Sequence, residues 1–171
     1  KISNFLTVYP NDKSKPKFKT EVRIFSNEKG IYFGFTNEQQ IKTQTVLRHP
    51  RDKWWVDADR NFIMIDFDGN ANTGYEFSIT LGDTLRDAIW TNENEKSSSW
   101  DAIWYGKTYQ TKTAWFSEVF IPWEVAPMSN LNVEQRKIKV SFMRKHHKAN
   151  KFYSFPGSWY EQSPFLSNFS T

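Results

Sequence analysis

The stretch from Ser99 to Trp123 most constrains the fold, because two aromatic segments flank a polar turn and the second ends on a proline. It holds four of the eight tryptophans. Aromatic and β-branched residues predominate between Trp115 and Ile121, a composition typical of a β-strand. Pro122 cannot donate to a sheet ladder, so this strand is expected to end at a sheet edge or corner. The stretch therefore predicts a β-hairpin that places large rings on packed faces.

Short alternating segments separated by turn residues predict further strands along the chain. We predict strands at 19–26, 31–36, 41–47, 61–66, 75–81 and 137–144. Residues 61–66 are nearly continuously apolar, so that strand is expected to be buried on both faces. Residues 1–17 are interpreted as an edge segment, 83–90 as a strand or irregular chain, 91–99 as a polar loop, 125–136 as a connection with one helical turn, and 152–171 as loop. With about eight to ten short strands and no helix of ordinary length, the sequence predicts an all-β fold, an antiparallel β-sandwich of jelly-roll type.

The length of 171 residues indicates one domain spanning residues 1–171. The first residue is Lys1, so we interpret the sequence as a module excised from a longer mature protein. Cysteine is absent, which excludes disulfides and thiolate metal sites and leaves the redox compartment open. No apolar run is long enough to cross a bilayer, so direct membrane insertion of this segment is not expected.

The charge pattern does not indicate nucleic-acid binding. Twenty-three Lys and Arg residues oppose nineteen Asp and Glu residues, and the net charge of +4 is dispersed rather than gathered into a basic stripe. The densest basic run, Arg144 to Lys148, is predicted to be the solvated tip of a hairpin.

No motif indicates catalysis. The acidic residues show no spacing that singles out an acid/base pair, and His49, His146 and His147 do not have a metal-ligand spacing. The G-x-S-x-G, P-loop and H-E-x-x-H motifs are missing from the sequence. The sequence therefore predicts a protein that is not an enzyme, with neither catalytic residues nor a catalytic cofactor.

The segment from Asp66 to Gly74 could bind calcium, because oxygen-bearing side chains recur at every second position. The candidate ligands are Asp66, Asp68, Asn70 and Asn72. It is not an EF-hand loop, since Ala71 and Phe77 stand where that loop has its glycine and its closing glutamate. The alternative is a plain hairpin turn rich in Asn and Asp.

Exposed tryptophans are the remaining functional signal, because sugar C–H faces stack on aromatic rings while sugar hydroxyls require polar partners. The candidate ligand-binding residues are Trp54, Trp55, Trp159, Trp100, Arg48, Arg51 and Arg144. Trp54 and Trp55 lie in a predicted loop, and Trp159 follows Pro156-Gly157-Ser158 and could face them across a cleft. Trp115 and Trp123 are expected to be core residues. For each ring, structural packing is the alternative.

Several motifs, taken in order, resemble family 9 carbohydrate-binding modules over roughly residues 5–155. They are Thr20-Glu21-Val22-Arg23-Ile24-Phe25 with Ile31-Tyr32-Phe33-Gly34-Phe35, Ile63-Met64-Ile65-Asp66 with Tyr75-Glu76-Phe77, Ser99-Trp100-Asp101-Ala102-Ile103-Trp104, and Glu118-Val119-Phe120-Ile121-Pro122-Trp123. The resemblance is to the branch at the amino-terminal end of large bacterial proteins with a predicted outer-membrane barrel. Sugar-binding members of the family carry an acidic residue where this chain has Phe62.

The resemblance implies a β-sandwich, recognition of an oligo- or polysaccharide between two tryptophans, and structural calcium. It also implies export, to the periplasm, the cell surface or the medium. Two alternatives stay open: a domain that docks on the rest of its own polypeptide without binding sugar, and a haem-binding β-sandwich with His or Met as axial ligands.

Overall fold

The computed structural model describes residues 1–53, 56–128, 137–159, 161 and 164–171. Its strands are β1 (Leu6–Tyr9), β2 (Thr20–Asn27), β3 (Gly30–Glu38), β4 (Arg60–Asp66), β5 (Thr73–Thr80), β6 (Leu85–Thr91), β7 (Glu95–Ser97), β8 (Tyr105–Gln110), β9 (Ala114–Pro122), β10 (Lys139–His146) and β11 (Lys151–Phe155). Three 3₁₀ turns, Ile41–Thr43, Trp123–Val125 and Leu166–Asn168, are the helical elements of the described chain.

The strands form two antiparallel sheets. One sheet has seven strands in the order β1-β11-β10-β4-β5-β6-β7, and the other has four in the order β2-β3-β9-β8. Phe142 on β10 makes edge-on contacts with Phe33 and Phe35 on β3, at centroid distances of 5.6 and 5.8 Å. These buried rings fill the space between the sheets, so the predicted antiparallel β-sandwich is confirmed.

The hairpin predicted between Ser99 and Trp123 is present as β8 and β9, and β9 ends at Pro122 as expected. Trp115 is fully buried, and its indole Nε1 donates to Oε1 of Gln39 at 3.0 Å. The first arm begins only after Trp104, a ring that is also buried. This stretch is therefore structural scaffold.

The strand predicted at 41–47 is wrong. The segment forms a 3₁₀ turn at Ile41–Thr43 followed by chain without regular structure. The side-chain amide of Gln44 donates to the carbonyl oxygens of Gln39 and Ala114, at 2.8 and 3.2 Å. A side chain therefore ties this segment to the sandwich in place of a backbone ladder.

Two strands were missed because their sequences are polar or lie beside prolines. β7 lies within the predicted polar loop at 91–99, and all but the first residue of β11 lies within the predicted loop at 152–171. Residues 83–90 contain most of β6, and residues 1–17 contain β1, the edge strand of the larger sheet. The connection predicted at 125–136 is described only up to residue 128.

The predicted solvated tip at Arg144–Lys148 is wrong for its first three residues. Arg144, Lys145 and His146 belong to β10 and are buried, because this strand lies between β4 and β11. The turn itself occupies residues 147–150, and Lys148 is exposed there.

Candidate functional site

The outer face of the seven-stranded sheet, on the side away from the four-stranded sheet, is partly covered by the C-terminal tail. Gly74 on β5 permits the close approach, since a Cβ there would lie 2.5 Å from Cδ2 of Leu166. Ser170 continues the contact through paired backbone hydrogen bonds with Val140 on β10. The tail and this face form a second buried apolar cluster of Val8, Met64, Trp90, Met143, Trp159, Phe165, Leu166 and Phe169.

Beside the tail, the same face carries a cleft of about 150 Å³. Side chains on one face of a strand recur at every second residue, so alternate residues of β4, β5, β6 and β10 meet there. The lining residues are Val56, Arg60, Phe62, Met64, Glu76, Arg86, Trp90, Lys96, Met143, Lys145 and Phe152. We refer to this site as the cationic cleft, because four of its lining residues are Lys or Arg and one is acidic.

Two aromatic rings form an apolar wall of the cationic cleft. Phe62 on β4 and Phe152 on β11 are half-buried, and their ring centroids lie 6.4 Å apart. The guanidinium of Arg60 lies 5.6 Å from the Phe62 ring centroid, and the ammonium of Lys145 lies 5.9 Å from that of Phe152. The cleft thus places cationic hydrogen-bond donors beside aromatic surface.

Glu76, the acidic residue of the cationic cleft, has three donors. Nη2 of Arg86 donates to Oε1 at 2.8 Å, Nζ of Lys96 contacts Oε2 at 2.7 Å, and Nε1 of Trp90 donates to Oε2 at 3.0 Å. Burial by itself would raise the pKa of Glu76, but the charges of Lys96 and Arg86 outweigh burial and lower the pKa to about 2. This carboxylate is therefore ionised at neutral pH.

Arg60 differs from Arg86 in its partners. Its side chain is buried, yet within the described part of the chain it makes neither a hydrogen bond nor a salt bridge, and its Nε is shielded from solvent. Burial and the nearby charge of Arg86 lower the pKa of Arg60 to about 10, with Glu76 opposing the change. The guanidinium is therefore charged at neutral pH and available to a ligand in the cleft.

Two predicted ligand residues, Trp54 and Trp55, lie outside the described residues, so their role stays a prediction. Val56, the next residue in the sequence, lines the cationic cleft. Arg48 is exposed and does not line it.

Trp159 is not the exposed loop ring that the sequence predicts. It is 6% exposed, and its ring stacks on Tyr9 at 5.9 Å and meets Phe152 edge-on at 4.9 Å. Its Nε1 donates to Oε2 of Glu161 at 3.1 Å. Trp159 therefore supports the cleft ring Phe152 from within the apolar cluster under the tail.

Trp100 also lies away from the cationic cleft. Its half-buried ring meets Tyr75 and Phe77 edge-on, at 4.9 and 5.7 Å. Those two residues point to the inner face of β5, whereas Glu76 between them points to the cleft. Trp100 thus packs at the side of the sandwich core.

Arg144 was predicted to contact ligand, but it is buried inside the sandwich. Its Nη1 donates to Oγ1 of Thr20 at 2.9 Å, and its Nη2 donates to the carbonyl of Glu38 and to Oε1 of Gln39, at 2.9 and 3.0 Å. Burial lowers the pKa of Arg144 to about 10. The expected exposure is wrong, because on β10 alternate residues face opposite ways, and Lys145 is the one that reaches the cleft.

Arg51 does not line the cationic cleft and instead contacts three acidic residues. Its Nη2 contacts Oδ2 of Asp87 at 2.6 Å and Oδ1 of Asp101 at 3.1 Å, and its Nε lies 3.3 Å from Oδ2 of Asp52. Burial raises the pKa of Asp87, with Arg51 opposing the change. The three carboxylates lie close enough to share a metal ion, but the guanidinium of Arg51 already supplies the positive charge among them.

The predicted calcium segment folds as a tight turn around Asp66. Oδ1 of this buried carboxylate accepts from the backbone N–H of Gly69 at 2.8 Å, and Oδ2 accepts from that of Ala71 at 2.7 Å. Asp68, Asn70 and Asn72 line a polar hollow beside it. The oxygen-rich lining suits a hard cation, while the backbone bonds are those of the plain-turn alternative, so calcium binding stays a prediction.

A row of aromatic side chains crosses the outer face of the four-stranded sheet. Phe25, Tyr32, Phe120 and Tyr105 are successive cross-strand partners on β2, β3, β9 and β8. Tyr32 and Phe120 stack at 4.5 Å, and Phe120 and Tyr105 lie 6.2 Å apart and nearly parallel. Phe25 and Tyr105, at the two ends of this aromatic row, are exposed, so the row is a second aromatic surface on the opposite side of the sandwich from the cationic cleft.

The comparisons with known proteins support the fold. A solved structure of a proposed carbohydrate-binding protein from Bacteroides uniformis is similar, with a TM-score of 0.67, 14% sequence identity, and coverage of 97% of this chain and 84% of that chain. No protein-family profile matches the sequence, and no curated protein does. The family 9 resemblance therefore stays a prediction. The described residues contain no helix with the length and apolar character needed to cross a membrane.

Sequence reasoning missed Arg60, Glu76, Arg86, Lys96 and Lys145. All five lie on strands, and a charged residue on a strand is commonly interpreted as solvent-facing. The available signal was that β4 and β5 are almost continuously buried, so a charged residue inside them must be paired or functional.

Proposed function

We propose that this domain is a non-catalytic carbohydrate-binding module and that the cationic cleft is its sugar site. The observation that carries the proposal is the convergence of aromatic surface, from Phe62 and Phe152, with charged hydrogen-bonding groups in one cleft. Sugar recognition uses this combination, because C–H faces pack on rings and hydroxyls bond to charged partners. The similarity to the Bacteroides uniformis protein supports the proposal at the level of the fold.

The size of the cleft favours one sugar residue over a long buried chain. An engineered protein cavity of about 150 Å³ binds benzene, and the cleft has about the same volume. A six-membered sugar ring is of comparable width, whereas the macrocycle required by the haem-binding alternative is far wider. We therefore favour a terminal or side-branch sugar as the bound unit.

The chemistry of Glu76 supports binding rather than hydrolysis. Glycoside hydrolysis normally uses two carboxyl groups, one of which is protonated so that it can donate to the leaving group. Among the described residues that line the cleft, Glu76 is the one carboxylate, and its pKa of about 2 keeps it ionised. It can accept hydrogen bonds from sugar hydroxyls but is a poor proton donor.

The test is binding to a panel of neutral and acidic glycans by calorimetry, with variants of the two half-buried rings. We expect Phe62→Ala and Phe152→Ala each to weaken binding by about tenfold, the scale of losing one aromatic contact. Tyr109→Ala, an exposed ring of the opposite sheet, is the matched control and should bind normally. Trp54→Ala and Trp55→Ala test the prediction made from the sequence. Binding that no cleft variant weakens would contradict the proposal.

The aromatic row favours a second candidate function, docking of the four-stranded sheet on the rest of the same polypeptide. Phe25 and Tyr105 are 63% and 59% exposed at the two ends of the row, and exposed apolar patches commonly mark protein interfaces. Hydroxyl-radical labelling of Tyr105 and Tyr109 should be lower in the longer protein than in the isolated domain. Equal labelling in both would contradict docking through this face.

A further inference from the structure

The charges of the cationic cleft do not balance. Among the described residues that line it, Arg60, Arg86, Lys96 and Lys145 accompany the single carboxylate of Glu76, a formal excess of three positive charges. Glu76 is already engaged by Arg86 and Lys96. Within the described lining, Arg60 is therefore left without a carboxylate partner.

A second cation, Lys145, lies next to Arg60. Arg60 and Lys145 are directly paired across strands β4 and β10. Burial and the charge of Arg60 lower the pKa of Lys145, and burial and the charge of Arg86 lower the pKa of Arg60. Asp57 and Asp59 offset part of the positive potential at Lys145. Like charges directly opposite one another on paired strands are unfavourable.

The burial of Arg60 is the stronger evidence that the cleft binds an anion. It is 7% exposed, its Nε has no hydrogen-bond partner within the described residues, and its guanidinium lies over the ring of Phe62 at the cleft wall. A buried charge without a partner is costly, so buried charges in proteins are normally paired. A planar guanidinium suits a carboxylate or sulfate, which it can bind through two parallel hydrogen bonds.

We propose that the cationic cleft selects acidic saccharides, with Arg60 and Lys145 binding the carboxylate or sulfate of a sugar whose ring lies against Phe62 and Phe152. This inference rests on the proposed carbohydrate-binding function and adds the class of sugar. The ligand supplies the negative charge that the cleft lacks.

The experiment compares matched ligands by calorimetry on the complete 171-residue chain. The probes are an oligogalacturonate, its methyl-esterified form, a sulfated galactan oligosaccharide, its desulfated form, and inorganic sulfate alone. We expect at least one acidic oligosaccharide to bind about tenfold or more tightly than its uncharged partner, the scale of a charge-assisted hydrogen bond. Which of the two pairs shows the difference separates carboxylate from sulfate recognition.

Arg60→Gln should abolish that preference, so that the variant binds the acidic oligosaccharide and its uncharged partner with equal affinity. Lys107→Gln is the matched control, because Lys107 is an exposed cation on the opposite sheet, and it should retain the preference. Lys145→Gln is the second cleft variant and should reduce the preference in the same way. Thermal unfolding of each variant shows that it is folded.

Each other outcome overturns the inference in a distinct way. Equal affinity for charged and uncharged partners overturns acid selection and leaves the proposed carbohydrate binding standing. Inorganic sulfate that binds as tightly as the oligosaccharide overturns the sugar assignment. A preference that survives in Arg60→Gln overturns the role of the cleft. No binding by any of these probes overturns this inference, whereas the proposed function is overturned only when the wider glycan panel also fails to bind.

Discussion

Arg60 on β4 and Lys145 on β10 are direct cross-strand partners, and each is 7% exposed. Two like charges thus lie side by side on the outer face of the larger sheet, beside the aromatic surface of Phe62 and Phe152. This arrangement is unfavourable for the free protein and favourable for binding an anion. It predicts a conflict between stability and function at this position.

Removing the charge of Arg60 is expected to stabilise the free protein. Arg60→Met keeps much of the side-chain volume and relieves the repulsion with Lys145, so we expect the free energy of unfolding to rise by about 0.5–1 kcal/mol. Urea denaturation at neutral pH measures the free energy of unfolding of the wild-type protein and of Arg60→Met. Arg23→Met, at an exposed arginine of the other sheet, should change stability little. A loss of stability above about 1 kcal/mol in Arg60→Met would show that Arg60 has an internal partner.

Glu76 makes stability depend on pH in the acid range. Its pKa falls from 4.5 to about 2 on folding, so its contribution is fully present above pH 4.5 and is lost as the pH falls towards 2. The size of this contribution is about 3 kcal/mol. Glu76→Gln should therefore be destabilised at pH 7 by about 3 kcal/mol, because Arg86 and Lys96 lose their counter-charge.

The free energy of unfolding, measured as a function of pH in the acid range, tests the ion pairs of Glu76. The wild-type protein should lose stability between pH 4.5 and 2, and Glu76→Gln should lose less over the same range. Glu28→Gln, at an exposed position, is the control and should follow the wild-type profile. Parallel profiles for wild type and Glu76→Gln would refute the ion-pair network.

Arg144 is expected to affect stability and not sugar binding. Its guanidinium joins β10 to the end of β3 through bonds to Glu38 and Gln39. Arg144→Lys keeps the charge but cannot make these bonds together, so we expect a loss of about 2 kcal/mol in urea denaturation. If Arg144→Lys has wild-type stability but no longer binds glycan, Arg144 contacts the ligand and this prediction is wrong.

The calcium prediction has its own measurement. If the turn around Asp66 binds calcium, the Tm should rise on adding millimolar CaCl₂ and fall with a chelator. Asp68→Asn should remove this response, because Asp68 lines the hollow. Asp66→Asn should lower the Tm under both conditions, since its carboxylate accepts backbone N–H bonds. A Tm that does not change with calcium supports the alternative of a plain hairpin turn without a bound ion.

Strands with regular alternation were predictable from the sequence, and segments held by side chains were not. β2, β3, β4, β5 and β10 follow from their apolar periodicity, and the full burial of residues 61–66 apart from Phe62 follows from composition. The segment after Ile41 could not be predicted, because it depends on the amide of Gln44 reaching β9, 70 residues away in sequence. Local composition does not record such long-range bonds.

The cationic cleft could not be predicted from the sequence for a related reason. The tryptophans predicted to bind ligand lie in loops, whereas the charged residues of the cleft lie on strands and meet only through sheet register. Lys145 and Arg60 are adjacent because β10 pairs with β4 across a long connection. The alternation rule shows which residues share a face of one strand, but it cannot give the order of strands in the sheet.

The most direct test of the account is a two-dimensional ¹H–¹⁵N NMR titration of the protein with an oligosaccharide that binds in the calorimetric panel. The account predicts that shift changes concentrate at the indole Nε1–H of Trp90 and at backbone amides of Arg60, Phe62 and Phe152, with Tyr105 and Phe120 unaffected. Changes confined to the aromatic row of the four-stranded sheet, with the cleft signals unmoved, would contradict it.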